Sequence, residues 1–211
     1  MTGLFFSFDG IDGVGKSTQM ELFCEWLRDR GHDVVQCRDP GGTPLGETLR
    51  ELILHRQDTP ISPMAEMLLY MASRAQLVND VIQPSLQAGK TIVSDRFLVS
   101  NVAYQGHAGG VRVTDVWAVG AVATEDIRPD LTLMLDMPVE QASSRLNRDL
   151  DRIEARGAEF LNRVRDGFLH EADRSPDRIA VIDAARDIDT IQTEIQGLAS
   201  RVIEAKGLAE G

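Results

Sequence analysis

The chain carries, close to its start, the stretch Phe5-Phe6-Ser7-Phe8-Asp9-Gly10-Ile11-Asp12-Gly13-Val14-Gly15-Lys16-Ser17-Thr18, which fits the spacing G-x-x-x-x-G-K-S from Gly10 to Ser17. The apolar run at residues 4–8 has the composition of a buried strand. After Lys16, apolar side chains recur at three- and four-residue spacing, as on one face of a helix. Strand, glycine loop and helix in this order predict a phosphate-binding loop, or P-loop.

The predicted loop has the chemistry of a binding site for an oligophosphate. Its backbone N–H groups and the positive end of the following helix point towards a bound anion. We expect Lys16 to reach the terminal phosphates of a nucleotide and the Ser17 hydroxyl to ligate Mg²⁺. The residues predicted to contact the nucleotide are Gly10, Ile11, Asp12, Gly13, Val14, Gly15, Lys16, Ser17 and Thr18.

Length and charge restrict the class of protein. A chain of 211 residues suits a single domain, 1–211, that is large enough to bury a core. Its formal net charge of −11 argues against binding to nucleic acid or to an anionic membrane surface. The sequence has neither an apolar stretch near the roughly 20 residues of a membrane span nor the basic opening of a signal peptide. We therefore expect a cytoplasmic protein.

The periodicity of apolar residues predicts five strands that alternate with helices. Strands are expected over residues 4–8, 33–37, 91–94, 131–135 and 179–182. Helices are expected over 16–30, 45–54, 64–88 with a bend at Pro84, 97–105, 114–124, 139–148, 159–173 and a terminal stretch that carries Ile188, with a mobile loop at 106–110. The alternation predicts an α/β fold of the P-loop NTPase type, a three-layer sandwich with a parallel five-stranded sheet and helices on both faces.

Charged residues follow several of the predicted strands. Asp9, Arg38-Asp39-Pro40, Asp95-Arg96 and Asp136 come at or just after strand ends. Since ligands of such sheets bind at the carboxyl ends of the strands, these side chains are expected at one site. Asp95 can hold the hydration shell of Mg²⁺, with Asp9 as a second carboxylate near the same ion. A purely structural pairing of Asp95 with Arg96 is the alternative.

A P-loop by itself does not separate a kinase from a switch GTPase or a motor ATPase. The guanine-reading pattern N-K-x-D of a GTPase is absent from the sequence. A motor ATPase is expected to carry an acidic pair after its Walker-B strand, whereas here the single acid Asp95 is followed by Arg96. These two observations favour a kinase.

Further motifs follow in an order that resembles the thymidylate kinase family of the bacterial type. Besides the P-loop they are Arg38-Asp39-Pro40-Gly41-Gly42-Thr43, Asp95-Arg96-Phe97, Ala103-Tyr104-Gln105-Gly106, Arg128-Pro129-Asp130-Leu131 and Asp151-Arg152-Ile153-Glu154. The resemblance runs from residue 9 to about residue 165. It implies transfer of the γ-phosphoryl group of ATP to dTMP, giving dTDP, with Mg²⁺ as the cofactor. It also implies a homodimer formed through helices.

Two pairs of residues, each four apart on a predicted helix, fit a pyrimidine base. Tyr70 can stack on the ring, while Arg74 can donate to the carbonyl at position 4 of thymine. Cytosine carries an amino donor there, so an arginine would reject it, and a site of this kind can discriminate by up to ~10⁴–10⁵. Asn101 and Gln105, with Ser100, can supply polar contacts to the base edge.

The resemblance implies further contacts to dTMP. Tyr104 is placed against the deoxyribose, and Asp12 matches the family acid that approaches the 3′-hydroxyl group. Arg96 suits the dTMP phosphate, because a guanidinium fork matches phosphate geometry. The predicted dTMP site is completed by Arg38, Pro40 and Arg50. Three positions depart from the family while preserving chemical type, namely Asp39 for Glu, Phe97 for Tyr and Tyr70 for Phe.

The P-loop lacks an arginine at residues 11–14, although positive charge over the migrating phosphoryl group can be worth ~10³–10⁵ in rate. The sequence therefore resembles the branch of the family whose arginine comes from a LID segment, here about 145–157. Arg145, Arg148 and Arg152 lie three and four apart, so a helix through them would present all three on one side. The predicted catalytic residues are Lys16, Arg96, Arg148, Arg152 and Asp9, with Arg145 near ATP.

Two alternatives stay open from the sequence. One is another nucleoside monophosphate or deoxynucleoside kinase on the same architecture, which a panel of phosphate acceptors would separate from a thymidylate kinase. The other is a regulatory P-loop protein that binds ATP without catalysis. Absence of turnover despite ATP binding would favour that second alternative.

Overall fold

The computed structural model describes residues 3–56, 58–146 and 151–207, and a five-stranded sheet forms its centre. The strands lie in the order β2-β3-β1-β4-β5, and each pair of neighbours is parallel. Their bounds are β1 Leu4–Asp9, β2 Val34–Arg38, β3 Thr91–Asp95, β4 Leu131–Asp136 and β5 Ile179–Asp183. The predicted parallel α/β sheet is confirmed, with each strand within about one residue of its expected bounds.

The middle strand, β1, is buried along its whole length. Successive side chains of a strand point to opposite faces of the sheet. Phe6 and Phe8 accordingly pack against Phe23 on one face, with ring centroids 5.2 and 5.6 Å apart. Phe5 packs against Phe97 on the other face, at 4.9 Å. A hydrophobic core therefore lies on each side of the sheet.

Helices cover both faces and connect the strands. They are α1 Lys16–Asp29, α2 Pro44–Leu54, α3 Pro63–Leu77, α4 Gln83–Gln87, α5 Leu98–Asn101, α6 Val113–Thr124, α7 Val139–Ser144, α8 Ala158–Arg174 and α9 Ile188–Ala205. Within the described ranges, none of them combines the length and the apolar character that a membrane crossing requires.

Two predicted helices contain a π-helical turn instead of running regularly. The segment expected over 64–88 is α3, a π-helical turn at Val78–Ile82, and then α4. There the Gln83 N–H donates to the Val78 carbonyl five residues back, immediately before Pro84. Proline has no N–H and crowds the preceding turn, so a change of helical pitch at this point relieves the conflict.

The second π-helical segment, Val102–Ala108, continues α5 and corrects the predicted mobile loop at 106–110. Residues 106–108 belong to the helix, and Gly106 is buried against Val113 of α6. The Gly110 N–H donates to the Gly106 carbonyl, so the chain turns at once into the next helix. Gly106 and Gly109 leave little room for a side chain here, whereas Gly110 supplies a turn with a φ of +83°.

The helix predicted over 139–148 is shorter than expected, because α7 ends at Ser144. The prediction that one helix presents Arg145 and Arg152 on the same side is therefore wrong. After the gap in the described residues, the chain turns from Asp151 into a short 3₁₀ helix at Glu154–Arg156. Arg148 lies outside the described residues.

Candidate active site

The P-loop forms a pocket at the carboxyl edge of the sheet. It is lined by residues 12–19 together with Asp95, Arg145 and Arg186, and it encloses about 1280 Å³ including its open mouth. Gly13 has a φ of +88°, and a Cβ there would lie 2.1 Å from the Ala142 carbonyl oxygen. Only a glycine fits such a close approach of two backbone segments. The motif therefore has the predicted loop geometry.

Lys16 folds back over the loop that precedes it. Its Nζ donates to the carbonyl oxygens of Gly10 at 3.1 Å and Ile11 at 2.8 Å, and it lies 3.2 Å from Asp12 Oδ1. Burial, followed by the charge of Arg96, lowers the pKa of Lys16. Burial opposes ionisation of Asp12, but the charges of Arg96 and Lys16 hold the pKa of Asp12 below its ordinary value. A cationic centre thus faces the pocket from the loop.

A second pocket adjoins the first. It encloses about 690 Å³ including its mouth, a size typical of small-molecule sites. Asp12 and Asp95 line both pockets, so a group bound in one would lie beside a group bound in the other. We call this second pocket the acceptor pocket, because it is lined by the residues predicted to bind dTMP. They are Asp12, Arg38, Pro40, Arg50, Tyr70, Arg74, Arg96, Ser100, Asn101, Tyr104 and Gln105.

Arg96 lies at the junction of the two pockets. It follows β3 with a φ of +66°, and its backbone N–H donates to the Phe8 carbonyl. One terminal nitrogen donates to Gly10 O at 2.7 Å, and the other donates to Asp12 Oδ1 at 2.8 Å. Its guanidinium also lies 5.2 Å from the centre of the Tyr104 ring. The left-handed backbone turn therefore directs this cation back over the P-loop.

Arg74 is buried on the wall of the acceptor pocket. It pairs with Asp39 through Nε and also contacts the Met71 sulfur at 3.2 Å and the Phe97 carbonyl at 3.5 Å. Burial raises the pKa of Asp39, which the Arg74 charge counteracts. A guanidinium has five N–H donors. Donors therefore remain on Arg74 for a base in the pocket, and its role towards thymine stays a prediction.

A chain of hydrogen bonds fixes how Asn101 faces the acceptor pocket. The Glu66 carboxylate can only accept hydrogen bonds, so the Gln105 amide donates to it through Nε2 at 3.0 Å. The amide oxygen of Gln105 is thereby turned away from Glu66 and towards Asn101. That oxygen accepts from Asn101 Nδ2 at 2.6 Å. Asn101 Oδ1 is left buried, with no hydrogen-bond partner among the described residues. Asn101 lines the pocket, so these hydrogen bonds fix the orientation of its side-chain amide there.

Glu66 also holds the segment that follows the gap in the described residues. Its Oε2 accepts from Arg152 at 2.8 Å and pairs with Arg156, while Arg152 Nε donates to the Ile53 carbonyl at 2.7 Å. Arg152 is therefore placed on the acceptor side, on Glu66. Its predicted action on the phosphates stays a prediction, as does that of Arg148, which lies outside the described residues.

Sequence reasoning missed several site residues. Arg186 lines the P-loop pocket from the loop after β5, where it pairs with Glu194. Its position beyond a strand end was the available signal, as it was for Arg96. Leu54, Asp151 and Ile153 line the acceptor pocket, and Glu66 supports it from behind. Nothing in the local sequence around Glu66 indicates its partners.

Two of the three predicted metal ligands, Ser17 and Asp95, are placed where they could bind a hard divalent cation, whereas Asp9 is not. Asp95 Oδ1 is buried and has no hydrogen-bond partner in the part of the chain that the structure describes, and Asp95 and Ser17 line the same pocket. Both side chains offer oxygen, the ligand atom that such an ion prefers. Asp9 is fully buried and lines neither pocket, and its Oδ1 accepts from Ser100 at 2.5 Å. Burial raises the pKa of Asp9. The predicted role of Asp9 as a metal ligand and catalytic residue stays a prediction.

The fold and these two adjoining pockets define a P-loop phosphotransferase, in which a cationic loop faces a second pocket across the carboxylates that line both. Comparison with known proteins narrows that class. The family model described as "Thymidylate kinase" matches residues 8–195. The chain belongs to the thymidylate kinase family. It is accordingly an enzyme that transfers a phosphoryl group, and its family implies ATP as co-substrate with a divalent metal ion.

Individual relatives agree with the family. The thymidylate kinase of Kosmotoga olearia is 44% identical over 194 residues, which cover 91% of this chain and 93% of the relative. The thymidylate kinase of Clavibacter sepedonicus is 43% identical over 210 residues, which cover 97% of this chain and 98% of the relative. The crystal structure of thymidylate kinase from Ehrlichia chaffeensis superposes with a TM-score of 0.77 at 30% identity, over 94% of this chain and 99% of that one.

Proposed function

We propose that this chain transfers the γ-phosphoryl group of ATP to dTMP, giving dTDP, with Mg²⁺ as the divalent cation. The observation that carries the proposal is the pair of adjoining pockets that share Asp12 and Asp95. ATP would place its phosphates on the P-loop, and dTMP would place its phosphate beside Arg96. Lys16 and Arg96 then hold the ATP phosphates and the single dTMP phosphate at one junction.

The residues at that junction have separate parts in the proposed reaction. Arg96 orients the dTMP phosphate, and Lys16 balances charge on the ATP phosphates, since positioning and electrostatics supply most of the catalysis of phosphoryl transfer. Ser17 and Asp95 would hold Mg²⁺, which when bound neutralises charge that builds on the phosphate oxygens. Tyr104, whose hydroxyl lies 3.4 Å from Arg96, closes the pocket on the sugar side.

The acceptor panel tests the proposed reaction. ADP release with Mg-ATP is measured against dTMP, dUMP, dCMP, dGMP and AMP. We expect dTMP to have the highest kcat/KM among them. A higher value for dCMP or AMP would contradict the proposed substrate, and no turnover on any acceptor despite ATP binding would support a regulatory protein instead.

Asn101 is expected to contribute to the choice of base. Thymine carries a hydrogen on N3 that can donate to Asn101 Oδ1, whereas N3 of cytosine is itself an acceptor. Replacing Asn101 by alanine should lower the ratio of kcat/KM for dTMP over dCMP by about tenfold, the value of one hydrogen bond. Asn162→Ala on α8, where the side chain donates to a helix carbonyl, is the matched control. An unchanged ratio in Asn101→Ala would show that the base is read elsewhere.

We further propose that at least one of Arg145, Arg148 and Arg152 acts in the transition state. The support is that Arg145 lines the P-loop pocket, while residues 11–14 provide no arginine. Single alanine variants of these residues should lower kcat and kcat/KM together, with little change in ATP affinity. Measurements at saturating dTMP and Mg-ATP decide this. If all three variants kept kcat within about threefold of the parent, the proposal would be wrong.

We also propose a cytoplasmic homodimer. Exposed apolar side chains on three neighbouring helices support the dimer, namely Leu45 on α2, Met64 and Leu68 on α3, and Val122 on α6, which is 80% exposed. Burying such a surface against a second copy would remove it from water. Light scattering on the purified chain measures the mass directly, and a monomer at micromolar concentration would contradict the dimer. Cell fractionation tests the location.

A further inference from the structure

A cluster of three potential metal ligands lies where the π-helical segment Val102–Ala108 packs on α8. His107 Nε2 is 2.7 Å from Glu171 Oε1, and the rings of His107 and His170 are 5.1 Å apart at 62°. One ligand atom from each of the three residues lies within 4.8 Å of the other two. None of them lines either pocket of the active site.

Local packing brings these side chains together. Gly167 sits about one turn before His170 and Glu171 on α8, and a Cβ there would lie 2.7 Å from the Cβ of His107. The absence of a side chain at this position therefore lets the His107 ring lie against the helix. The Glu171 side chain is 4% exposed and is held by its contact with His107, which is half-buried. His170 is exposed. The cluster thus has two positioned ligands and one that can rotate.

The chemistry of this set favours one class of cation. Imidazole nitrogen suits Zn²⁺, Co²⁺ and Ni²⁺, whereas Mg²⁺ and Ca²⁺ prefer oxygen ligands alone. Two histidines and one glutamate supply three ligands of a tetrahedral site, with the fourth position left to water. Bonds of ~2.0–2.1 Å require ligand atoms about 3.4 Å apart. Metal binding would therefore lengthen the 2.7 Å contact between His107 and Glu171 and turn the exposed His170 ring towards them.

We propose that His107, His170 and Glu171 form a binding site for a borderline transition-metal ion, best represented by Zn²⁺, that fastens the π-helical segment to α8. None of these three residues takes part in the proposed reaction. Its position gives it a link to the acceptor pocket, because Tyr104 of the same segment packs against Phe160 and Phe168 of α8 at 6.4 and 6.1 Å. The bound ion would hold together the junction that supports Tyr104.

Calorimetric titration of the full chain with ZnCl₂ tests this site. Excess MgCl₂ is present to occupy carboxylate sites that take hard cations, and nucleotide is left out. We expect one Zn²⁺ per chain, a rise in the thermal midpoint of unfolding with Zn²⁺, and the visible absorption of four-coordinate Co²⁺ when CoCl₂ is used instead.

Two cluster variants and one control decide whether the two histidines bind the ion. His170→Ala removes an exposed ligand, and His107→Gln keeps a side-chain donor to Glu171 while it removes the imidazole. Because outer-shell partners alone are worth roughly 10–100-fold in affinity, each of these two variants should weaken Zn²⁺ binding by at least about tenfold. His55→Ala, at an exposed histidine just after α2, is the matched control and should bind like the parent.

The outcomes separate a metal site from a plain His107–Glu171 pair. Parent affinity for Zn²⁺ in His170→Ala would overturn the proposal, as would the absence of tetrahedral Co²⁺ absorption in the parent. A loss of affinity in His55→Ala equal to that in His170→Ala would also overturn it, since binding would then be non-specific. If His107→Gln fails to fold, exposed His170 still decides the result. Loss confined to the cluster variants supports the proposal.

Discussion

Replacing Lys16 by alanine is expected to lower kcat by roughly 10²–10³-fold, the usual cost of losing one preorganised charge at a transition state. The side chain donates to the Gly10 and Ile11 carbonyl oxygens and faces the pocket that the P-loop forms. Loss of its charge leaves the growing charge on the migrating phosphoryl group less balanced. The measurement is kcat at saturating Mg-ATP and dTMP.

The fold should survive that substitution, because the Gly10 carbonyl keeps its hydrogen bond from Arg96 and water can enter the open pocket that Lys16 lines. Thermal unfolding of the variant is recorded beside its activity. Lys90→Ala, which removes a half-exposed lysine that pairs with Asp33, is the matched control and should keep parental kcat. A Lys16→Ala protein that kept normal kcat, or one that did not fold, would contradict the role given to Lys16.

Glu66→Gln is expected to have the largest effect on stability. Glu66 is 1% exposed and accepts from Gln105, Arg152 and Arg156 at once. Removing one partner of a buried ion pair costs about 3–5 kcal/mol, and the partial exposure of both arginines places this case near 3 kcal/mol. For a chain of this size the melting midpoint should then fall by about 6–12 °C.

A second measurement separates positioning from stability alone. The glutamine could turn an N–H group towards Gln105, which would release the orientation of Asn101 in the acceptor pocket. We therefore expect the KM for dTMP to rise, with the KM for ATP unchanged. The matched control is Glu159→Gln, since Glu159 is 92% exposed and pairs with Arg163, a contact worth no more than about 1 kcal/mol. A melting midpoint of Glu66→Gln that matched this control would refute the role of the network.

The sequence by itself determined the sheet, the P-loop and the edge at which ligands bind. These features depend on patterns within a few residues: a run of buried side chains in β1, the spacing from Gly10 to Ser17, and charges directly after strands. Parallel pairing then follows from the helices between strands, because a crossover is needed to return the chain. Asp12, Asp95 and Arg96 were brought together as this rule requires.

Local patterns were weaker where packing overrides propensity. Glycines at 106–110 suggested a loop, yet Gly106 is buried in a π-helical segment against Val113. The regular spacing of Arg145, Arg148 and Arg152 suggested one helical face, yet α7 ends at Ser144. In both cases the composition of a short stretch does not reveal which neighbouring element it will meet.

The tertiary structure alone decided which partners Glu66 takes and how the side-chain amide of Asn101 is oriented. Glu66 is 39 residues from Gln105, 86 from Arg152 and 90 from Arg156, so no spacing in the sequence connects them. An isolated buried carboxylate is unfavourable, and only the folded chain supplies the cations and the amide that make its burial possible. The phosphate site is therefore encoded by a local sequence motif. The orientation of the residues proposed to contact the base depends instead on contacts that form on folding.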